Sequence, residues 1–250
     1  MRTVTSLDGT VIGFETVGAG PPMVLVHGGT ADHTRWAPVV PRLAERYTVH
    51  AVDRRGRGLS GDGDQYDLRR EGEDIAAVVA AVGPGVFLVG HSYGALASLE
   101  AALLTSTVDR IVLYEPPGRG ASTPDLLAAL RATDDREEIL RLFYRGALHL
   151  TDTQIDAMRG TPIWRARLAA APTIVRELDE VEAFDFSARL SAIDVPVRLL
   201  LGTESPPYFR QVAEAVTTRL PHAELVELPG QAHMAINEAP ELFLDKVLSF

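Results

Sequence analysis

The stretch Val86-Phe87-Leu88-Val89-Gly90-His91-Ser92-Tyr93-Gly94 decides how this chain is read. A short apolar run enters a turn in which glycines lie two positions on either side of a serine, and the alanine- and leucine-rich segment Ala95 to Leu104 follows. The pattern predicts strand, sharp turn, helix. A G-x-S-x-G turn forces the serine backbone into a strained conformation, and its small residues let strand and helix approach closely. The hydroxyl then stands clear of the sheet at the positive end of the helix. The same letters also fit a plain helix capped by serine after a strand, so the rest of the chain has to discriminate.

At 250 residues the chain suits one large domain, or one domain with an insertion. Its 46% hydrophobic and 23% charged residues are those of a globular protein. No apolar run approaches the roughly 20 residues needed to cross a membrane, and Met1-Arg2-Thr3-Val4 leads straight into a strand-like pattern without the features of a signal peptide. A cytoplasmic protein is therefore expected. Zero cysteines exclude disulfides, thiol catalysis and cysteine-ligated metals. A net charge of −10 argues against nucleic acid or an anionic membrane as partner. Lys246 is the single lysine among 24 basic residues, which reads as codon bias rather than function.

Outward from the turn, strands and helices alternate. Thr3 to Ser6 and Val11 to Val17 flank the hairpin turn Asp8-Gly9. Met23 to Val26 is a continuous apolar run, the signature of a strand buried on both faces, and it ends in His27-Gly28-Gly29. Trp36 to Tyr47 reads as helical, with Pro38 and Pro41 limiting regular helix. Thr48 to Val52 is a strand ending at Asp53, followed by the glycine-rich loop Arg54 to Gly61 and a helix over Tyr66 to Val82. Arg110 to Tyr114 is a strand ending at Glu115. From 116 to 194 the alternation stops: helical patterns lie around 124–132, 136–148, 153–159 and 163–178. It resumes with strands at 197–201 and 224–228, a helix between them over 208–220, the loop Pro229 to His233 and a last helix near Pro240. This order predicts an α/β fold with a parallel sheet covered on both faces. Residues 1–115 and 195–250 form its core, and 116–194 a helical cap over the carboxyl ends of the strands, where ligands bind in open α/β sheets.

His27, Asp53, Ser92, Glu115, Glu204 and His233 all fall at those carboxyl ends. A serine hydroxyl is a weak nucleophile until a base takes its proton, and His233, in the loop after the last strand, is the best base. His91 is directed away from Ser92 by the turn, and His27 braces its own loop. His33, His50, His149 and His222 read as solvated or partly buried, with no cluster at metal-ligand spacing. A tetrahedral intermediate needs two donors; the amides of Tyr93 and Gly29 can supply them. No phosphate-cradling or dinucleotide glycine motif is present. Neither a metal nor a cofactor is expected.

His27-Gly28-Gly29, Asp53 to Ser60, Gly90 to Gly94 and Gly230-Gln231-Ala232-His233, in this order, resemble the α/β-hydrolase superfamily, and the likeness covers nearly the whole chain except the cap. The resemblance implies an eight-stranded, mostly parallel sheet, a Ser–acid–His triad in chain order, and a structural role for the Asp53 to Ser60 loop. Most members carry the acid, an aspartate, about three residues after a glycine ending the seventh strand. Here the stretch is Leu201-Gly202-Thr203-Glu204-Ser205-Pro206, and the expected position holds Ser205, which carries no charge. Haloalkane dehalogenases and zearalenone-type lactonases place the acid after strand six, as Glu115 would be here. Glu115 is the preferred acid and Glu204 the alternative.

A serine nucleophile argues against dehalogenase and epoxide hydrolase chemistry, which uses aspartate. Serine with an oxyanion hole indicates a hydrolase acting on a small-molecule carboxylic ester or lactone through an acyl-enzyme. A C–C bond hydrolase, a non-hydrolytic lyase or cyclase, and a ligand receptor are the alternatives on the same scaffold. Tyr144, Trp164, Phe184, Phe186 and Met234 are candidate pocket residues. Arg165 and Arg167 read first as a solvated helix face, and second as a site for a substrate carboxylate. A monomer or homodimer is expected.

Overall fold

The computed structural model describes residues 1–186 and 188–250. Eight strands form one sheet: β1 (Arg2–Thr5), β2 (Val11–Val17), β3 (Pro22–Val26), β4 (Thr48–Val52), β5 (Val86–His91), β6 (Val108–Tyr114), β7 (Val197–Gly202) and β8 (Ala223–Leu228). Their order is β1-β2-β4-β3-β5-β6-β7-β8. The hairpin β1–β2 joins antiparallel to β4, and every pair from β4 to β8 is parallel. The sheet thus matches the expected eight-stranded, mostly parallel arrangement.

Side chains alternate between faces along a strand, so each central strand feeds two cores. Val24, Val26, Leu88, Ile111 and Leu113 join a cluster on one face. Their neighbours Met23, Leu25, Phe87, Val89, Val112 and Tyr114 join a cluster on the other. This is why those runs are continuously apolar. Helix α1 (Val40–Leu43) is a single turn, preceded by a 3-10 turn at His33–Trp36. Pro38 lies between the two turns, and Pro41 sits in the first turn of α1, where proline is tolerated. Helices α2 (Leu68–Val82) and α3 (Tyr93–Ala102) pack on the first face. Asp67 caps α2 by accepting the Arg70 N–H at 2.7 Å.

Between β6 and β7 lie α4 (Pro124–Arg131), α5 (Arg136–Gly146), α6 (Asp152–Met158), α7 (Pro162–Ala170) and α8 (Ile174–Ala183). They bury a third cluster of their own, built on Leu130, Leu140, Tyr144, Ile155, Trp164 and Ile174. The continuous helix expected over 163–178 is two helices. Pro172 cannot continue the ladder, and the chain crosses it as a 3-10 turn at Ala171–Thr173. The remaining helices are α9 (Pro207–Arg219), α10 (Ala235–Glu238) and α11 (Pro240–Leu248). Among the described residues no helix is long and apolar enough to cross a membrane.

Candidate active site

Ser92 sits between β5 and α3 with φ 55° and ψ −127°, and its side chain makes no capping hydrogen bond to the helix. The plain capped-helix reading therefore fails. The conformation is one that L-residues avoid, at a cost of about 1–3 kcal/mol. Crowding enforces it: a Cβ at position 94 would lie 2.3 Å from the Val26 carbonyl oxygen and 2.4 Å from that of His27. The Ser92 N–H donates to the Tyr114 carbonyl at 2.8 Å, which ties the turn to β6. Of the four non-glycine residues with positive φ among the described residues, three are Thr30, Ser92 and Glu115, each at the end of a central strand or in the loop beyond it.

His233 follows β8 in the loop before α10. Its Nδ1 lies 2.6 Å from Glu115 Oε2. A carboxylate accepts, so Nδ1 carries the proton and Nε2 keeps its lone pair. Glu115, 1% exposed, is fully used: Oε1 accepts the Gly202 N–H at 2.8 Å and the Ser205 hydroxyl. The position where the superfamily resemblance led one to look for an acid thus holds a donor to the carboxylate that arrives from β6. Glu204 is exposed; its side chain accepts from the Thr203 hydroxyl at 3.4 Å and makes no hydrogen bond to His233.

Three further residues fix the His233 loop, and only one of them was noticed in the sequence. The Tyr114 hydroxyl donates to the Ala232 carbonyl and accepts the Ala235 N–H at 3.1 Å, clamping the loop on both sides of the histidine. Phe209 stacks on the His233 ring, centroids 4.7 Å apart. His91 points away from Ser92 as expected, but its ring packs 4.6 Å from that of His233, and its Nε2 lies 3.3 Å from the His233 carbonyl. Burial, reinforced by the neighbouring His233, pushes the His91 pKa well below the ordinary histidine value. The signal for Tyr114 was its place next to Glu115; Phe209 left none.

The loop after β3 carries Gly29. His27 braces it, with Nδ1–H on the Gly28 carbonyl at 2.8 Å and Nε2 accepting the Arg54 N–H at 3.2 Å. Tyr93 is the first residue of α3, so its N–H has no intrahelical acceptor. Gly29, Ser92 and Tyr93 line one narrow cavity with Pro117, Ile174, Leu178 and Phe209. A second narrow cavity meets it at Gly29, Ser92, Phe143 and Leu148, and is lined further by His91, His233, Met234, Tyr144, Arg35 and Arg167. Ser92 and His233 thus face common space, although Ser92 Oγ has no hydrogen-bond partner among the described residues.

Beside the first cavity lies a buried ionic network. Arg54 donates to both oxygens of Glu71, from Nε at 2.8 Å and from Nη2 at 2.5 Å, and to Glu177 of α8 at 2.5 Å; Arg57 also reaches Glu177. Burial opposes ionisation of Glu71, but the Arg54 charge outweighs it and holds the carboxyl below its usual range. The Tyr66 hydroxyl joins Glu71 to the Tyr93 hydroxyl at 2.9 and 2.8 Å. Glu177 therefore fastens the helices between β6 and β7 to the strand ends.

Other expected positions are placed differently. Tyr144 and Met234 line the second cavity. Trp164 belongs to the buried cluster of the helical segment and lines neither cavity that Ser92 lines. Phe184 and Phe186 pack edge to face on the sheet-side core. Arg165 is exposed, whereas Arg167 on the same helix is buried, against the solvated-face reading. Asp32, His33 and Asp53 do bring possible metal-ligating atoms within 4.8 Å of one another, which their spacing in the chain does not show. The Asp53 carboxylate already accepts from His33 Nδ1 at 2.9 Å and from the His33 and Leu59 N–H groups, so it serves the loop.

The chain is similar to known alpha/beta hydrolases. The model of an alpha/beta hydrolase family matches residues 23–246. A pimeloyl-[acyl-carrier protein] methyl ester esterase of Xanthomonas campestris is 28% identical over 88% of this chain and 90% of its own. A 2-(acetamidomethylene)succinate hydrolase of Mesorhizobium japonicum is 30% identical over 93% of this chain and 88% of its own. The crystal structure of an alpha/beta hydrolase from Sphaerobacter thermophilus superposes with a TM-score of 0.85 at 34% identity, covering 99% of this chain and 100% of that one.

Proposed function

We propose, from the premise that the chain belongs to the alpha/beta hydrolase family, that it is a serine hydrolase of small carboxylic esters or lactones working through an acyl-enzyme. The observation that carries the reading is the 2.6 Å contact of His233 Nδ1 with Glu115, on a histidine that shares a cavity with a strained serine. Ser92 Oγ attacks the acyl carbon while His233 Nε2 takes its proton. Glu115 holds the tautomer and stabilises the imidazolium. The amides of Gly29 and Tyr93 receive the oxyanion, and the proton on Nε2 passes to the leaving alcohol. Water then repeats the sequence on the acyl-enzyme. The Ser92–His233 hydrogen bond forms as substrate orders the site, a common behaviour of catalytic contacts. Residues 116–194 act as the cap that admits substrate. Relatives named as a methyl ester esterase and as a 2-(acetamidomethylene)succinate hydrolase support acyl transfer to water.

The test is turnover of a panel of aryl esters and lactones by the wild type and Ser92→Ala. The variant is expected to lose at least about a thousandfold in kcat, and a serine-directed phosphonate to label Ser92 alone. Undiminished turnover by the variant would remove Ser92 from the mechanism.

A further inference from the structure

Five arginines near the strand ends differ in how their charge is met. Arg54, Arg55 and Arg57 are buried, and each is paired with buried carboxylates: Arg54 with Glu71 and Glu177, Arg55 with Asp74, and Arg57 with Glu177. Arg35 and Arg167 are different. Among the described residues neither has a carboxylate oxygen within 4 Å of its guanidinium, yet both line the cavity that holds Ser92 and His233. Both also line the wider groove that continues outward from it between core and α7.

Arg167 is 8% exposed. One nitrogen, Nη1, donates to the Tyr144 hydroxyl and to Thr30 Oγ1 at 3.3 Å, and its guanidinium lies 5.3 Å from the Tyr144 ring centroid. Nε is buried without a partner, and Nη2 makes no hydrogen bond among the described residues. The edge formed by Nε and Nη2 is the one with which an arginine grips a carboxylate two-pronged. Arg35 is only weakly satisfied: Nη1 donates to Asn237, and Nη2 meets the Met234 sulfur at 3.9 Å, a poor acceptor. Asp32 lines the outer groove, but its Oδ1 serves the Thr34 amide and hydroxyl. Burial and the charge of Arg167 pull the Arg35 pKa down to about 10, still cationic at neutral pH. Two cations thus line the cavity of the nucleophile, and the buried one, Arg167, keeps an unfilled donor edge; a buried charge without a partner is costly.

We infer that Arg167 and Arg35 form an anion subsite, and that the substrate is an ester carrying a free carboxylate seated on them. Its apolar part occupies the cavity lined by Pro117, Ile174, Leu178 and Phe209. The inference rests on the serine-hydrolase reading and names its substrate class. The carboxylate completes the site: it neutralises the pair, fills the Nε–Nη2 edge, and fixes the scissile carbonyl relative to Ser92.

Two matched pairs of substrates test it, one with the charge on the acyl part and one with it on the leaving group. They are mono-4-nitrophenyl glutarate against 4-nitrophenyl valerate, and 4-acetoxybenzoate against phenyl acetate. In at least one pair the anionic member is expected to have the higher kcat/KM by about tenfold or more at low salt. That ratio should collapse in Arg167→Gln and Arg35→Gln, mostly through KM, with partial retention in Arg167→Lys. Glutarate itself should raise the melting temperature of the wild type and not of Arg167→Gln, a readout that needs no turnover. A preference for the neutral member in both pairs, or a ratio unaltered in Arg167→Gln, overturns the subsite while leaving the hydrolase standing. Full activity of Ser92→Ala in the same assays removes the hydrolase reading instead.

Discussion

Glu115 is a residue whose two oxygens have different tasks. Oε1 receives the Gly202 amide and the Ser205 hydroxyl, and Oε2 faces His233. In Glu115→Gln both donors hold the amide oxygen on the Oε1 side, so the NH2 group turns to His233 Nδ1. The histidine must then accept there and carry its proton on Nε2, where it cannot act as base. We expect kcat to fall by about 10³–10⁴-fold, with little change in KM or thermal stability. Glu204→Gln should stay within about twofold of the wild type. Steady-state kinetics on one aryl ester checks both; a fall for Glu204→Gln equal to that of Glu115→Gln would reassign the acid.

At the scale of elements, the β5–α3 turn works because backbone meets backbone. Gly94→Ala drives a Cβ against the Val26 and His27 carbonyls, and neither atom can swing aside as a flexible side chain would. We expect a loss of about 2–4 kcal/mol by urea denaturation, with activity lost as β3 and the oxyanion loop shift; a variant as stable as the wild type would show the crowding to be relieved elsewhere. The same close packing explains what could be read in advance. Strands β3, β5 and β6 are buried on both faces, so their runs are continuously apolar and visible. The segment 36–47 deceives because its apolar spacing is helical, while the regular helix within it is the single turn Val40–Leu43. The 163–178 segment deceives similarly at Pro172. Ser92 and His233 announce themselves through motifs. The choice between Glu115 and Glu204 does not, because it depends on which side chain the loop after β7 turns inward. The burial of Arg167 was not legible, because burial of one face of α7 is set by docking on the strand ends, not by the helix's own polarity.

At the scale of the molecule, protons decide stability. Burial pushes the pKa of His27 and His91 well below the ordinary value, and that of His50 down to about 4. Below about pH 6.5 the unfolded chain protonates these histidines and the folded one does not. The unfolded state then binds more protons, so stability falls on acidification, by about 1.4 kcal/mol per pH unit for each. His33 acts in the opposite sense: its hydrogen bond to Asp53 raises its pKa, so its contribution is present below its unfolded value and lost as pH rises through the folded one. The net expectation is a steep loss between pH 6.5 and 4. Urea midpoints at pH 7, 6 and 5 should decline, and His50→Asn should remove about a third of the slope. A flat profile over that range would mean that the three rings are hydrated in the fold.

The meeting of Glu115 with Ser205 also bears on descent. Strand ends six and seven deliver their side chains to one point, so the negative charge behind His233 has two possible points of attachment to the chain. An aspartate at 205 would stand within hydrogen-bond reach of Glu115, and two such carboxylates share a proton and keep a single charge. Gain at 205 followed by loss at 115 moves the charge from one strand to the next in two single substitutions. Neither step passes through a chain that lacks it.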